Sequence, residues 1–298
     1  MALSTVVIVR GPGALAADGT INARVLGRIY ERGLGLLCGE RSATAALATI
    51  FSAADRVGIK INGIAGRRLT TPPEVSLPFA RLLVEAGLKT RAIAVWDRTN
   101  RELKDAGYRL NAAGEDFRVM GTDTAGAGYG GAPLEHRSIG SRFSALQAEF
   151  ATASVSLAVL KDHGLAGITA GMKNYFGAIH NPNKYHDDNC NPFVADLFDS
   201  APIKSKHRLT ILDALIVQFH KGPSFHARWA ERRETLVFSR DPVSADAVGG
   251  RMVEALRKAK GLPSLAEEGR APAYLQTAEG LGLGCANPAG IRILEETV

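Results

Sequence analysis

Short β-branched runs alternate with stretches of helical periodicity along most of this chain. That alternation restricts it to an α/β fold with a parallel or mixed central sheet flanked by helices. Ser4 to Arg10 reads as a first strand, closed by the turn Gly11-Pro12-Gly13, and residues 21–37 and 42–54 read as helices. A strand over 56–62 ends in Lys60-Ile61-Asn62, and another over 92–96 carries Asp97 at its end. Between them Thr71-Pro72-Pro73-Glu74 reads as a helix start, with Thr71 as cap, Pro72 in the first position and Glu74 bonding back; the helix stops at Gly87. Ser154 to Leu160 is a strand ending at Lys161. After it, Leu165, Ile168, Met172, Tyr175 and Phe176 repeat at helical spacing and predict a helix, with Gly164, Gly167 and Gly171 together on another side. Strands are also expected over 209–212, with Asp213 at the end, and over 234–239. Asp241-Pro242 then opens a helix to about Lys258, and residues 261–298 read as loop and short elements.

The 298 residues are expected to form one α/β domain, with the glycine-rich stretch 111–142 as the place where two lobes would divide; that stretch reads as a hairpin, a surface loop or a lid. The net charge of +6 is spread without a long basic run, and only 6% of residues are aromatic, so no nucleic-acid partner is expected. Cys38, Cys190 and Cys285 make no C-x-x-C pair, so no iron–sulfur cluster is expected. The first strand is not followed by G-x-G-x-x-G, so no NAD is expected either. No stretch approaches the ~18–20 apolar residues of a membrane span. The chain as it stands reads as cytoplasmic, and as exported if a leader precedes Met1. An oligomer is open to such a chain.

Chemistry concentrates in residues 161–186, which hold three of the seven histidines. Ligands of open parallel sheets bind beyond the carboxyl ends of the strands, where Lys60, Asn62, Asp97, Lys161, His163 and Asp213 are expected to converge. Helix N-termini after Thr71 and Gly164 would add free N–H groups there. A small anionic ligand, a carboxylate or a phosphate, follows from Lys60, Lys161 and Lys173, with Asn62, Thr71 and Asn174 as further binding residues. His163, His180, Lys161 and Lys173 are the catalytic candidates, the histidines as acid or base. A divalent metal is the candidate cofactor, with His180, His186, Asp97 and Asp246 as its ligands. The pattern leaves open an enzyme (isomerase, lyase or hydrolase) and a non-catalytic protein that captures a metal, cofactor or anion.

Taken together, Lys60-Ile-Asn62, Thr71-Pro-Pro-Glu74, Asp97, Lys161-Asp-His163, Gly171-Met-Lys-Asn-Tyr-Phe-Gly177, His180, Lys184, His186, Asp213, Gly222-Pro223 and Asp241-Pro-Val-Ser-Ala-Asp246 make the chain resemble the DUF362 family. That group of bacterial and archaeal proteins is named for an unknown function, and the resemblance covers most of residues 55–285. Some members carry ferredoxin-like cysteine motifs, which this chain lacks, and many are exported.

Overall fold

The computed structural model describes residues 3–113 and 116–298. The chain opens with strand β1 (Ser4–Arg10) and helices α1 (Ala23–Cys38) and α2 (Ala43–Ile50). Each helix starts at a capping side chain: Asn22 accepts from the Arg24 and Val25 N–H groups, and Ser42 from that of Ala45. Next come β2 (Val57–Ile61), α3 (Pro73–Glu85), β3 (Ile93–Asp97), α4 (Asn100–Asp105) and β4 (Arg118–Gly121). A small hairpin, β5 (Leu134–His136) and β6 (Ile139–Ser141), leads to the long strand β7 (Ala153–His163). After β8 (Gly167–Thr169) and a 3-10 helix at Lys173–Ala178 follow α5 (Phe193–Asp199), α6 (Ala201–Lys204), β9 (His207–Gln218), β10 (Ala230–Ser239), α7 (Pro242–Ala259), α8 (Tyr274–Gly280) and β11 (Ile291–Thr297).

One mixed sheet of nine strands runs in the order β11-β1-β10-β9-β7-β2-β3-β4, with β8 folded back on β7. The five strands from β9 to β4 are parallel, while β10 is antiparallel to both of its neighbours. Apolar side chains cover both faces. Val57, Ile59, Val155 and Leu157 pack with α1, α2 and α3, whereas Ala158, Leu160 and Leu212 pack with α5, α7 and α8. This two-sided burial explains why the central strands read as nearly continuous apolar runs. The onward connections from the adjacent strands β2 and β7 cross opposite faces. The first passes through α3 and the second through residues 164–206, which makes the gap between them the switch point where open sheets place ligands.

Four local expectations are corrected. The helix over 165–176 does not form: Gly167 takes φ 76°, the chain reverses, and Gly167–Thr169 pair antiparallel with Lys161–His163. Thr71 does not cap α3. Pro72 occupies the cap position, and the Thr71 hydroxyl instead donates to the Leu157 carbonyl at 3.0 Å. Asp213 lies inside β9 rather than at its end. The C-terminal stretch holds α8 and a seven-residue strand, β11, which runs parallel to β1. Within 111–142 the chain forms β4 and the β5–β6 hairpin; residues 114 and 115 of that stretch lie outside the described residues. Among the described residues no helix is long and apolar enough to cross a membrane.

Candidate active site

Along β7, residues 153, 155 and 157 point into the α1–α3 core. The same alternating row continues to Lys161 and His163 where the strand leaves that core, which is how a fully buried strand delivers two polar groups to a cleft. Beside it, β2 brings Lys60 and Asn62, and β3 brings Asp97. The turn after β8 supplies Lys173 and Asn174, and His186 closes the rim. These residues line a cleft of about 190 Å³, together with Thr169, Phe176, Arg98 and Glu102.

Its floor is a saturated knot. The Lys60 ammonium donates to Asp97 Oδ1 at 2.5 Å, the Ile61 carbonyl at 2.7 Å and Asn174 Oδ1 at 3.2 Å. Asp97 also accepts the Gly63 N–H at 2.6 Å and the Arg98 N–H at 2.7 Å, so both of its oxygens are occupied. Asn174 Nδ2 donates to the Lys60 carbonyl at 2.8 Å and to Ser156 Oγ at 3.0 Å. Gly177 lets the backbone approach this close: a Cβ there would stand 2.8 Å from Lys60 Nζ and 3.1 Å from Asp97 Oδ1.

The two remaining lysines differ from Lys60 because neither has a carboxylate partner among the described residues. Lys161, 1% exposed, donates to the Ile64 carbonyl at 2.7 Å and the Leu69 carbonyl at 3.2 Å. Burial pushes its pKa down to about 7 against the opposing pull of Asp97. Lys173 lies 3.2 Å from His186 Nε2 and 4.1 Å from the centre of the Phe176 ring. Burial pushes it down to about 8, with Cys190 pulling the other way.

The histidines divide by position. Nδ1 of His163 accepts the N–H groups of Leu165 and Ala166, both at 3.2 Å. Burial, then Lys173, His186 and Lys161, push its pKa down to about 2, so the ring is neutral with its proton on Nε2. Its ring stacks on His186 at 5.8 Å. His186 Nδ1 faces the Pro182 carbonyl at 3.0 Å and is assigned the proton, which leaves Nε2 to accept from Lys173. Its pKa is lowered by burial and by Lys173.

Four residues expected at the site lie elsewhere, and one of them, Asp213, lines a separate cavity. His180 sits edge-on to Tyr129 at 5.0 Å, in a separate pocket with Arg142 and Asn181. Asp246 is buried on α7, where it accepts the Gly171 and Met172 N–H groups at 2.7 and 3.0 Å. Thr71 is buried, with its carbonyl accepting the Tyr108 hydroxyl. The four metal-ligand candidates are therefore not brought together: His186 and Asp97 share the cleft, and Asp97 is already saturated. Among the described residues no group of three or more His, Cys, Asp or Glu is arranged to hold a metal ion.

Arg98 and Glu102 were not anticipated at the cleft. They pair at 2.7 Å, yet Arg98 Nε and Glu102 Oε2 stay buried without partners among the described residues, as does Asn62 Oδ1. The signal for Arg98 was its position directly after a strand-end carboxylate, with Glu102 four residues on.

The model of a domain of unknown function, DUF362, matches residues 57–251, the span from β2 into α7 that carries every residue of this cleft. The chain belongs to the DUF362 family. No curated protein matches this DUF362 chain. Among solved structures it is similar to a lactate racemase apoprotein from Thermoanaerobacterium thermosaccharolyticum, with 16% identity and a TM-score of 0.46 over 78% of this chain and 55% of that one. It is also similar to a protein from Thermotoga maritima, with 12% identity and a TM-score of 0.47 over 81% and 60%. The chain thus spans less than two thirds of the length of either.

Proposed function

We propose that the cleft binds a small carboxylate or phosphate and transfers a proton on it. The observation that carries this reading is the pair of buried lysines, Lys161 and Lys173, that line one cleft with no carboxylate partner among the described residues. A desolvated ammonium without a counter-ion is costly, and a bound anion restores what desolvation removes. Lys60 does not share this role, because Asp97 already neutralises it.

The same groups divide the chemistry. Lys161 is anchored by two carbonyls and holds the anion. Lys173, with a pKa of about 8, exists as both ammonium and amine near neutral pH and is the group suited to taking or returning a proton. His186 Nε2 directs it. His163, held neutral, offers Nε2–H to a substrate oxygen as a hydrogen-bond donor and does not titrate in the working range. The unpartnered Asn62 Oδ1 and Arg98 Nε provide one acceptor and one donor for the rest of the ligand.

Titration calorimetry with inorganic phosphate and a panel of short hydroxy and keto acids, followed by turnover assays on whichever bind, tests the reading. Binding that weakens at least ten-fold in Lys161→Met, with turnover lost in Lys173→Met, supports it. Binding without turnover of any ligand in the wild type leaves a capture protein. Binding unchanged in both variants removes the anion site.

A further inference from the structure

A second cavity, of about 270 Å³, is lined in part by residues 67–70, just beyond Asn62 and Ile64 of the cleft, and has no part in the proton transfer proposed above. Leu15, Ile21, Leu69 and Leu215 give it apolar walls, and Thr20 and Arg68 stand at its polar rim. Asp213 also lines it. The aspartate sits in β9 between Leu212 and Ala214, opposite Val159 of β7 and Leu236 of β10, and is 3% exposed.

The cavity exists because the sheet parts at this point. Val159 pairs with Asp213, but the next pairing of β7 is Lys161 with Gln218, so β9 bulges away from β7 immediately beyond the aspartate. Bulges of this kind re-aim side chains beside functional sites. The Asp213 carboxyl accepts one hydrogen bond, from the Leu215 N–H to Oδ1 at 3.0 Å. Among the described residues no lysine, arginine or histidine forms an ion pair with it. Arg67, also at the rim, is paired with Glu74.

An unpaired carboxyl in the middle of an apolar strand serves no packing purpose, since any aliphatic residue would fill the position at less cost. The other buried carboxylates among the described residues are matched: Asp97 by Lys60, Asp162 by Arg270, Asp196 by the Ser138 hydroxyl and N–H, and Asp246 by two N–H groups and the Tyr274 hydroxyl. Asp213 alone combines deep burial, a cavity and no cation among the described residues. We propose that this cavity is a second ligand site for a small organic ammonium ion with an apolar body, its nitrogen pairing with Asp213 and its chain lying along Leu15, Ile21 and Leu69. Burial holds the free carboxyl at a pKa of about 7, and a bound ammonium would draw it back toward the ionised form. Affinity for the ammonium therefore rises with pH through neutrality.

Titration of the full chain with n-butylammonium, 1-butanol and butyrate at pH 6 and pH 8, without any other ligand, tests this, and its outcome does not depend on whether the lysine cleft binds anions. At pH 8 the ammonium is expected to bind at least ten-fold more tightly than the alcohol or the carboxylate, and more tightly than at pH 6. Asp213→Asn keeps the acceptor for Leu215 and is expected to reduce ammonium affinity at least ten-fold. Thr20→Phe at the exposed rim is expected to do the same by closing the mouth, and it decides the matter should the first variant fail to fold. Equal binding of the three probes, no measurable ammonium binding, or full affinity in the Thr20→Phe protein would overturn the proposal.

Discussion

Lys60, Lys161 and Lys173 show how the same residue type acquires different chemistry from its neighbours. Lys60 has a carboxylate at 2.5 Å, whereas Lys161 and Lys173 are desolvated without one among the described residues. Replacing Lys161 by Met should weaken anion binding by about 10- to 100-fold, because hydrogen bonds to charged groups contribute about 1.5–3 kcal/mol. Only the protonated lysines attract an anion. Their pKa values of about 7 and about 8 therefore require wild-type affinity to fall as pH rises through that window, which calorimetry at closely spaced pH values would show. Affinity that is flat from pH 6 to pH 9 would contradict the assignment. At Gly177 the added methyl of Gly177→Ala meets Lys60 Nζ and Asp97 Oδ1, and a cost of about 1–3 kcal/mol in a urea melt is expected from overpacking.

Among the elements, strands were the most legible in the sequence. β2, β3 and β7 were marked by apolar runs ending in Lys60, Asp97 and Lys161, and those ends do converge. What the sequence did not disclose was the path from Gly164 to Phe176. Its apolar spacing fits a helix, but the reversal at Gly167 and the pairing of β8 on β7 depend on a neighbouring strand that the local pattern does not contain. His180 and His186 are six apart, yet the turn at Pro182–Tyr185 sends them to different pockets, a separation that spacing cannot encode. Asp246 acts at this level as well. From α7 it takes up the Gly171 and Met172 N–H groups and so fixes the turn that aims Lys173. Asp246→Ala leaves two buried donors unsatisfied, which at about 1–3 kcal/mol each should lower stability by about 2–6 kcal/mol and also weaken anion binding. A variant of wild-type stability would show that the carboxylate does not hold this turn.

Across the whole molecule, one segment, 62–70, lines both cavities, and its Ile64 and Leu69 carbonyls are held by Lys161. The buried charges also set a pH signature of stability. Asp213 has a folded pKa of about 7 against 3.8 for the unperturbed group, so between those values the folded chain binds more protons than the unfolded one. Its contribution to stability thus falls as pH rises from about 4 to about 7. For Lys161 the sign is reversed: with a folded pKa of about 7 against 10.5, the unfolded chain binds more protons above pH 7 and stability rises from there. Asp213→Asn should consequently be more stable than wild type at pH 8, by on the order of a few kcal/mol, with the difference shrinking toward pH 4. Urea midpoints at pH 4.5, 6 and 8 would check it, and a pH-independent difference would count against the buried carboxyl.

The proposed anion site in the cleft of this DUF362 protein rests on Lys161 and Lys173, two buried lysines without a carboxylate partner among the described residues. The most direct test is calorimetric titration of wild type, Lys161→Met and Lys173→Met with inorganic phosphate and short hydroxy and keto acids at pH 6.5. At least one of these anions is expected to bind the wild type, with affinity at least ten-fold lower in each variant. Undiminished binding in both variants, or no binding of any anion to the wild type, would contradict it.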